Sequence, residues 1–124
     1  MADTMLLQLV SPERLLVEQQ VTEVQVPAKD GFIGVLPGHA PLLSELKAGG
    51  VLTYQADGKQ YVLAVLGGFV EVLPDRVRIL ADNANLKGEI DPNAARDALA
   101  KATAAADLDE MMRQQARLDA TLIP

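Results

Sequence analysis

Cysteine and tryptophan are absent from this 124-residue chain, and it holds only two phenylalanines, two tyrosines and one histidine. Without cysteine there is no disulfide framework, no thiolate chemistry and no zinc finger, so a reducing compartment fits. Without aromatic rings to spare, the core must be aliphatic and the chain lacks the stacking surfaces that single-stranded nucleic acids use. The formal charge of −6, with no basic run to override it, opposes a phosphate backbone, so nucleic acid is not expected as a partner. Long hydrophobic segments are missing too. The longest apolar run, residues 61–70, is about half of the ~20 residues that a membrane-spanning helix needs, and it is interrupted by Gly67-Gly68. No basic segment precedes an apolar one at the N-terminus, where Asp3 comes early, so no signal peptide is expected and the protein should stay where it is made.

Catalytic signatures are equally scarce. No nucleophile elbow, HExxH, Walker A loop or dinucleotide fingerprint occurs, and the spacing of Gly31, Gly34 and Gly38 matches none of them. His39 has no carboxylate beside it in sequence, and Ser11 and Ser44 are the only serines. A loop-bracing or surface histidine is therefore the better reading than a general base. One histidine without cysteine gives no metal-ligand pattern, and no metal site is assigned.

What is present is 49% apolar residues, enough for one core-bearing domain with a small appendage but not for a large two-domain enzyme. Short β-rich runs separated by turn residues fill the chain up to about residue 81: 5–10, 14–17, 21–26, 32–36, 42–46, 51–55, 61–66, 69–73 and 77–80. Strands at this spacing predict a sandwich or barrel. Thr22, Val24 and Val26 alternate with Glu23 and Gln25, giving one buried and one wet face. Asp57-Gly58 and Pro74-Asp75 read as hairpin turns. Gly67-Gly68 reads as a tight corner or bulge, the alternative being close approach of a partner backbone.

After Asn83 the composition turns alanine-rich. Asp91-Pro92 starts a helix, with Asp as N-cap and Pro at the first helical position, running to about Ala105. Ala95, Ala98, Ala102 and Ala105 beside Leu99 form a stripe that lets another helix come close. Asp107 and Glu110 resemble a capping box opening a second helix, in which Leu108, Met111, Gln115, Leu118 and Leu122 recur three and four apart as a seam that would pack on the first helix or on a partner. Arg113 and Arg117 lie one turn apart, either on a solvated face with Asp109 supporting Arg113 or as a docking patch for an acidic partner. A hairpin of ~30 residues buries too little to stand alone, so it should lean on the sandwich or grip a partner.

The segment 31–43, with the pattern G-x-x-G-x-x-P-G-H-A-P-L-L, follows a β-rich start containing Val10-Ser11-Pro12-Glu13. It is followed by Leu66-Gly67-Gly68-Phe69-Val70-Glu71-Val72 and Val77-Arg78-Ile79-Leu80-Ala81-Asp82. Together, over about the first ninety residues, these resemble the epsilon subunit of the rotary F-type ATP synthase. The resemblance implies a mainly β fold with an α appendage: a β-sandwich of about ten strands over residues 1–87, then a two-helix hairpin over 88–124. It implies a non-catalytic central-stalk subunit that binds gamma and the ring of c subunits, coupling rotation to ion flow during ATP synthesis. The hairpin of that family folds against the sandwich or extends toward the alpha and beta subunits and blocks ATP hydrolysis.

On this resemblance Asp30, Phe32 and His39 are expected to face the c-ring, and Arg113 and Arg117 to dock on the catalytic subunits. The alternative for Phe32 is a buried strand residue. No cofactor is expected. ATP binding, seen in part of the family with the motif Ile or Leu, Asp, two residues, Arg, Ala, should be weak or absent. Ile90-Asp91 opens that motif, but Ala94 stands where its arginine belongs, and Arg96 lies about 200° further round the helix. The second helix spans roughly 22 Å and carries just two arginines, where strongly inhibiting relatives have a longer, more basic one, so inhibition should be weak. The implied location is the cytoplasmic face of a bacterial plasma membrane, held there only through the complex, with the stromal face of a thylakoid membrane as the other setting. The rival reading is a free-standing ligand-binding or acid/base sandwich that uses His39.

Overall fold

Gly67-Gly68 turns out to lie inside a strand. In the computed structural model, which describes residues 3–124, the apolar runs on either side of it are halves of one 15-residue strand, β7 (Lys59–Leu73). Both glycines sit at positive φ, +78° and +116°. A Cβ on Gly68 would run into the carbonyl of Leu80 and lie 2.9 Å from the Cα of Ala81. The strand therefore bends through a corner that only glycine can make. It is a corner and not a bulge, because pairing with the next strand keeps its register from Leu63↔Leu86 through Leu73↔Arg76.

The other strands are β1 (Met5–Val10), β2 (Leu15–Val21), β3 (Glu23–Ala28), β4 (Gly31–Val35), β5 (Leu42–Glu45), β6 (Gly50–Ala56) and β8 (Arg76–Leu86). Eight strands thus stand where the resemblance implied about ten, because the glycine corner bends a strand without ending it. β8 also continues past Leu80, following the first half of β7 to Leu86. The strands are hydrogen-bonded in the order β2-β1-β8-β7-β6-β3-β4, with β5 on the second half of β7. Neighbours are antiparallel except β1 and β8. Folded over at the corner, the sheet forms a β-sandwich around Leu7, Leu9, Val24, Val26, Leu52, Leu63, Val65, Val70, Val72, Val77 and Ile79.

Across the corner the buried phase of β7 switches, from Leu63 and Val65 to Val70 and Val72. Val62, Ala64 and Leu66 point the other way and form a second, smaller cluster with Ala116 and Ala120. Two-sided burial of the first half explains why residues 62–66 form an unbroken apolar run.

A single 3₁₀ turn (Lys87–Glu89) leads to α1 (Pro92–Ala104) and α2 (Leu108–Leu122). Asp91 caps α1 by accepting from the amides of Asn93 (2.9 Å) and Ala94 (3.4 Å). Asp107 caps α2 through the amide of Glu110 (3.1 Å), while Glu110 itself reaches Gln114, so the box is one-sided. α2 lies across β6 and the first half of β7. The seam, expected against the first helix or a partner, is not what meets the sheet. Leu108 and Leu122 are 71% and 80% exposed, and Gln115 is exposed, whereas Gln114, Ala116 and Ala120 are buried. A helix whose backbone comes this close to the strands meets them through its small residues, which leaves the larger ones at the flanks. In α1, Ala95 and Ala102 of the alanine stripe are buried, but Ala105 is exposed.

Candidate functional site

Among the described residues nothing is laid over the outer face of the sheet beyond the corner as α2 is before it. Cross-strand pairing aligns Phe69, Leu80, Val10 and Leu15 in one row over β7, β8, β1 and β2. Phe69 is 49% exposed, Leu80 51% and Leu15 53%, with Val10 half-buried. The next row runs Leu43, Glu71, Arg78, Gln8 and Glu18. Within it Glu71 pairs with Arg78 at 3.5 Å and Gln8 donates to Glu18 at 3.4 Å. Beyond that lie Leu73, Arg76 and Leu6. An apolar stripe bordered by paired charges is the form of a protein-docking surface. None of these stripe residues was singled out from the sequence, because only the register of the strands brings them together.

Of the three residues expected to face the c-ring, Asp30 and Phe32 stand at the start of β4 and His39 beyond its end. Asp30 lies exposed in the turn before β4, tied to the end of β5 through Lys29, whose amide donates to the Glu45 carbonyl (2.9 Å). Phe32 is 61% exposed, not buried in its strand, and carries the Lys47 ammonium 5.5 Å from its ring centre. His39 lies past the opposite end of β4, in a loop pinned to the β7–β8 turn by Gly38 N–H···O=C Pro74 (2.8 Å). Its Nδ1 is 2.6 Å from the Ala40 carbonyl, so that nitrogen braces the loop. A five-residue strand holds the two ends apart by over 10 Å at about 3.3 Å per residue.

The two helix arginines also part company. Arg113 pairs with Glu110 (3.5 Å), one turn back, and not with Asp109. Arg117 donates its Nε–H to Asn85 at the end of β8 (2.8 Å). Its side chain lines a cavity of about 350 Å³ together with Asp91, Ala94, Ala95 and Gln114. Arg96 is absent from that lining and instead donates to Asn93 (2.7 Å). Asp91 spends one carboxylate oxygen on capping α1. A larger open groove of about 690 Å³ runs between α2 and the sheet, lined by Phe32, Val51, Leu99, Met111, Met112 and Leu122 among others.

The linker between sandwich and hairpin is clamped. Arg14 grips Glu89 with both guanidinium nitrogens at 2.6 Å, and Glu89 also accepts from the Leu86 amide (2.8 Å). The Arg14 hydrogen bonds, then the Leu86 amide, hold the Glu89 carboxyl down from 4.5 to about 2. At the far end, Lys87 and Gln60 donate to the carbonyls of Ile123 and Pro124. Among the described residues no helix is long and apolar enough to cross a membrane.

A β-sandwich with an open apolar outer stripe, followed by a helical hairpin laid on its other half, defines a docking module. Which module follows from its relatives. The family described as ATP synthase, Delta/Epsilon chain, beta-sandwich domain matches residues 4–87. The ATP synthase epsilon chain of Solibacter usitatus is 56% identical over 80% of this chain and 73% of its own length. That of Rhodospirillum rubrum is 40% identical over 98% of this chain and 96% of its own. A chain in the Euglena gracilis mitochondrial ATP synthase assembly of OSCP, F1 and c-ring superposes with a TM-score of 0.78 at 27% identity, covering 98% of this chain and 83% of that one. This chain belongs to the ATP synthase epsilon chain family.

Proposed function

We propose that this chain is a non-catalytic central-stalk subunit that joins gamma to the ring of c subunits, so that rotation and ion flow stay coupled during ATP synthesis. The observation that carries the reading is the open stripe of Phe69, Leu80, Val10 and Leu15, which needs a protein partner to leave water. Gamma is that partner. The end of the sandwich bearing Asp30 and Phe32 meets the c-ring, and His39, beyond the other end of β4, belongs with the gamma contact instead. The site lies on the cytoplasmic face of a bacterial plasma membrane, reached through the complex alone.

The hairpin regulates ATP hydrolysis by leaving the sandwich and extending toward the alpha and beta subunits. In the docked state Arg117 is held by Asn85 of the sandwich, so undocking frees it, while Arg113 keeps its partner Glu110 on the same helix. With only these two arginines on α2, the inhibition is weak, and removing the residues after Asp107 raises ATP hydrolysis modestly. ATP binding to the subunit itself is weak or absent, since Arg96 is spent on Asn93 and does not line the cavity with Asp91.

Leu80→Asp tests the central reading, because a carboxylate in the middle of the stripe meets an apolar partner with no counter-charge. A side chain already half in water leaves the fold intact, so the variant keeps its thermal midpoint. It is expected to lose co-purification with gamma. Full retention of gamma by the folded variant would mean that the stripe is not the contact.

A further inference from the structure

Gly49 and Gly50 are adjacent, and neither has the positive φ that would demand glycine for backbone reasons. Both are glycine because something comes too close, and the two obstacles differ. A Cβ on Gly50 would collide with the ring of Pro27 in β3, meeting Cγ at 2.9 Å as well as Cβ. A Cβ on Gly49 would collide with α2, running into the Met112 carbonyl oxygen, with the Met112 carbonyl carbon at 2.5 Å and the Arg113 nitrogen at 2.6 Å. Its obstacle is therefore main chain, which no change of rotamer moves.

We propose that Gly49 is a notch that positions the hairpin: its missing side chain serves only to let the α2 backbone seat on the sheet, and Gly50 serves the sheet itself. The rest of the docked interface agrees with a helix resting on its backbone. Ala116 and Ala120 are the buried α2 contacts on Val62, Ala64 and Leu66. A small lift of α2 thus forfeits most of that packing, because a contact between small groups has no long side chain to follow the gap. The two arms holding the C-terminal end, Lys87 to Ile123 and Gln60 to Pro124, lie at the other end of α2 from Met112. Filling the notch pries the helix up at its start and turns about that end.

The notch deepens the reading of the hairpin as a regulatory element, yet its test stands apart from that reading because it needs no enzyme. Hydrogen exchange in the isolated full-length chain is followed by mass spectrometry for wild type, Gly49→Ala, Gly49→Val and Gly50→Ala. Gly88→Ala serves as a control in a position with open space around it. In both Gly49 variants the α2 amides are expected to exchange at least about tenfold faster, as overpacking a tight contact does. Amides of β1 and of the first half of β8 keep wild-type protection. Gly50→Ala speeds exchange in β3 and β6, and Gly88→Ala changes neither region. Unchanged α2 protection in Gly49→Val overturns the proposal. So does a parallel loss of protection in the core strands, which would make Gly49 a sandwich residue like its neighbour. Should the Gly49 variants undock α2 while ATP hydrolysis by the assembled enzyme stays the same, the notch stands and the regulatory reading falls.

Discussion

The two halves of β7 share an inner face and differ on the outer one. Before the corner, Val62, Ala64 and Leu66 are buried under α2; after it, Phe69, Glu71 and Leu73 look outward with nothing upon them. The covered half meets small side chains, and its cover is the chain's own tail. The open half carries large apolar side chains among paired charges, which suits a partner that comes from outside. One strand thus separates a surface that the protein closes for itself from a surface that it leaves for another. On the proposed function, reversible regulation falls on the first, where contacts are small, and permanent assembly on the second.

The comparison breaks most severely in the shared inner face. Leu63 is buried at 1% exposure in the main core. Leu63→Ala should lower stability by about 2–5 kcal/mol, the range for emptying a leucine site. Both halves should lose it together, as one cooperative shift of the denaturant midpoint. If the hairpin alone loosens, the inner face is not common to the two.

Ala120→Leu strikes only the covered half. Ala120 is fully buried against the sheet, and three added heavy atoms have no space there. Overpacking of this kind is worth about 1–3 kcal/mol, taken here from docking and not from the sandwich. Protease cleavage within 108–122 should accelerate while the core strands stay resistant. Cleavage at an unchanged rate would show the interface to be softer than its burial suggests.

A smaller effect comes from the clamp between the halves. The Glu89 carboxyl is depressed from 4.5 to about 2 by Arg14 and the Leu86 amide. A depressed carboxylate stabilises the folded state above its unfolded value, and that contribution is lost as pH falls through the folded one. The thermal midpoint of wild type should therefore exceed that of Glu89→Gln at pH 7 by a margin that shrinks from about pH 4.5 downward and closes near pH 2. Solvent screening keeps the margin small, since both side chains are over a third exposed at 41% and 36%. A margin that grows in acid would contradict the clamp.

Much of this division was legible in the amino-acid order. Period-two alternation gave the strands, Asp57-Gly58 the hairpin, and Asp91-Pro92 and Asp107 the helix starts, because each is a local event with a local cause. The stripe was not, since Phe69, Leu80, Val10 and Leu15 become neighbours only through register across four strands. Which α2 residues meet the sheet was not legible, for a related reason. Spacings of three and four mark a helix with an apolar side, but the sheet, remote in sequence, receives Ala116 and Ala120 and not Leu108 or Leu122. Asp30, Phe32 and His39 are grouped by the resemblance alone, and β4, already legible as an apolar run at 32–36, stands between the first and the last.

The central claim is that the sandwich couples and the hairpin regulates. Its most direct test is to supply the chain cut after Leu86 to ATP synthase membranes lacking this subunit and to measure ATP-driven proton pumping. The account predicts that the folded fragment restores pumping to near the level given by the full chain, with ATP hydrolysis equal to or slightly above it. A fragment that folds and binds gamma but leaves the membranes uncoupled would contradict it.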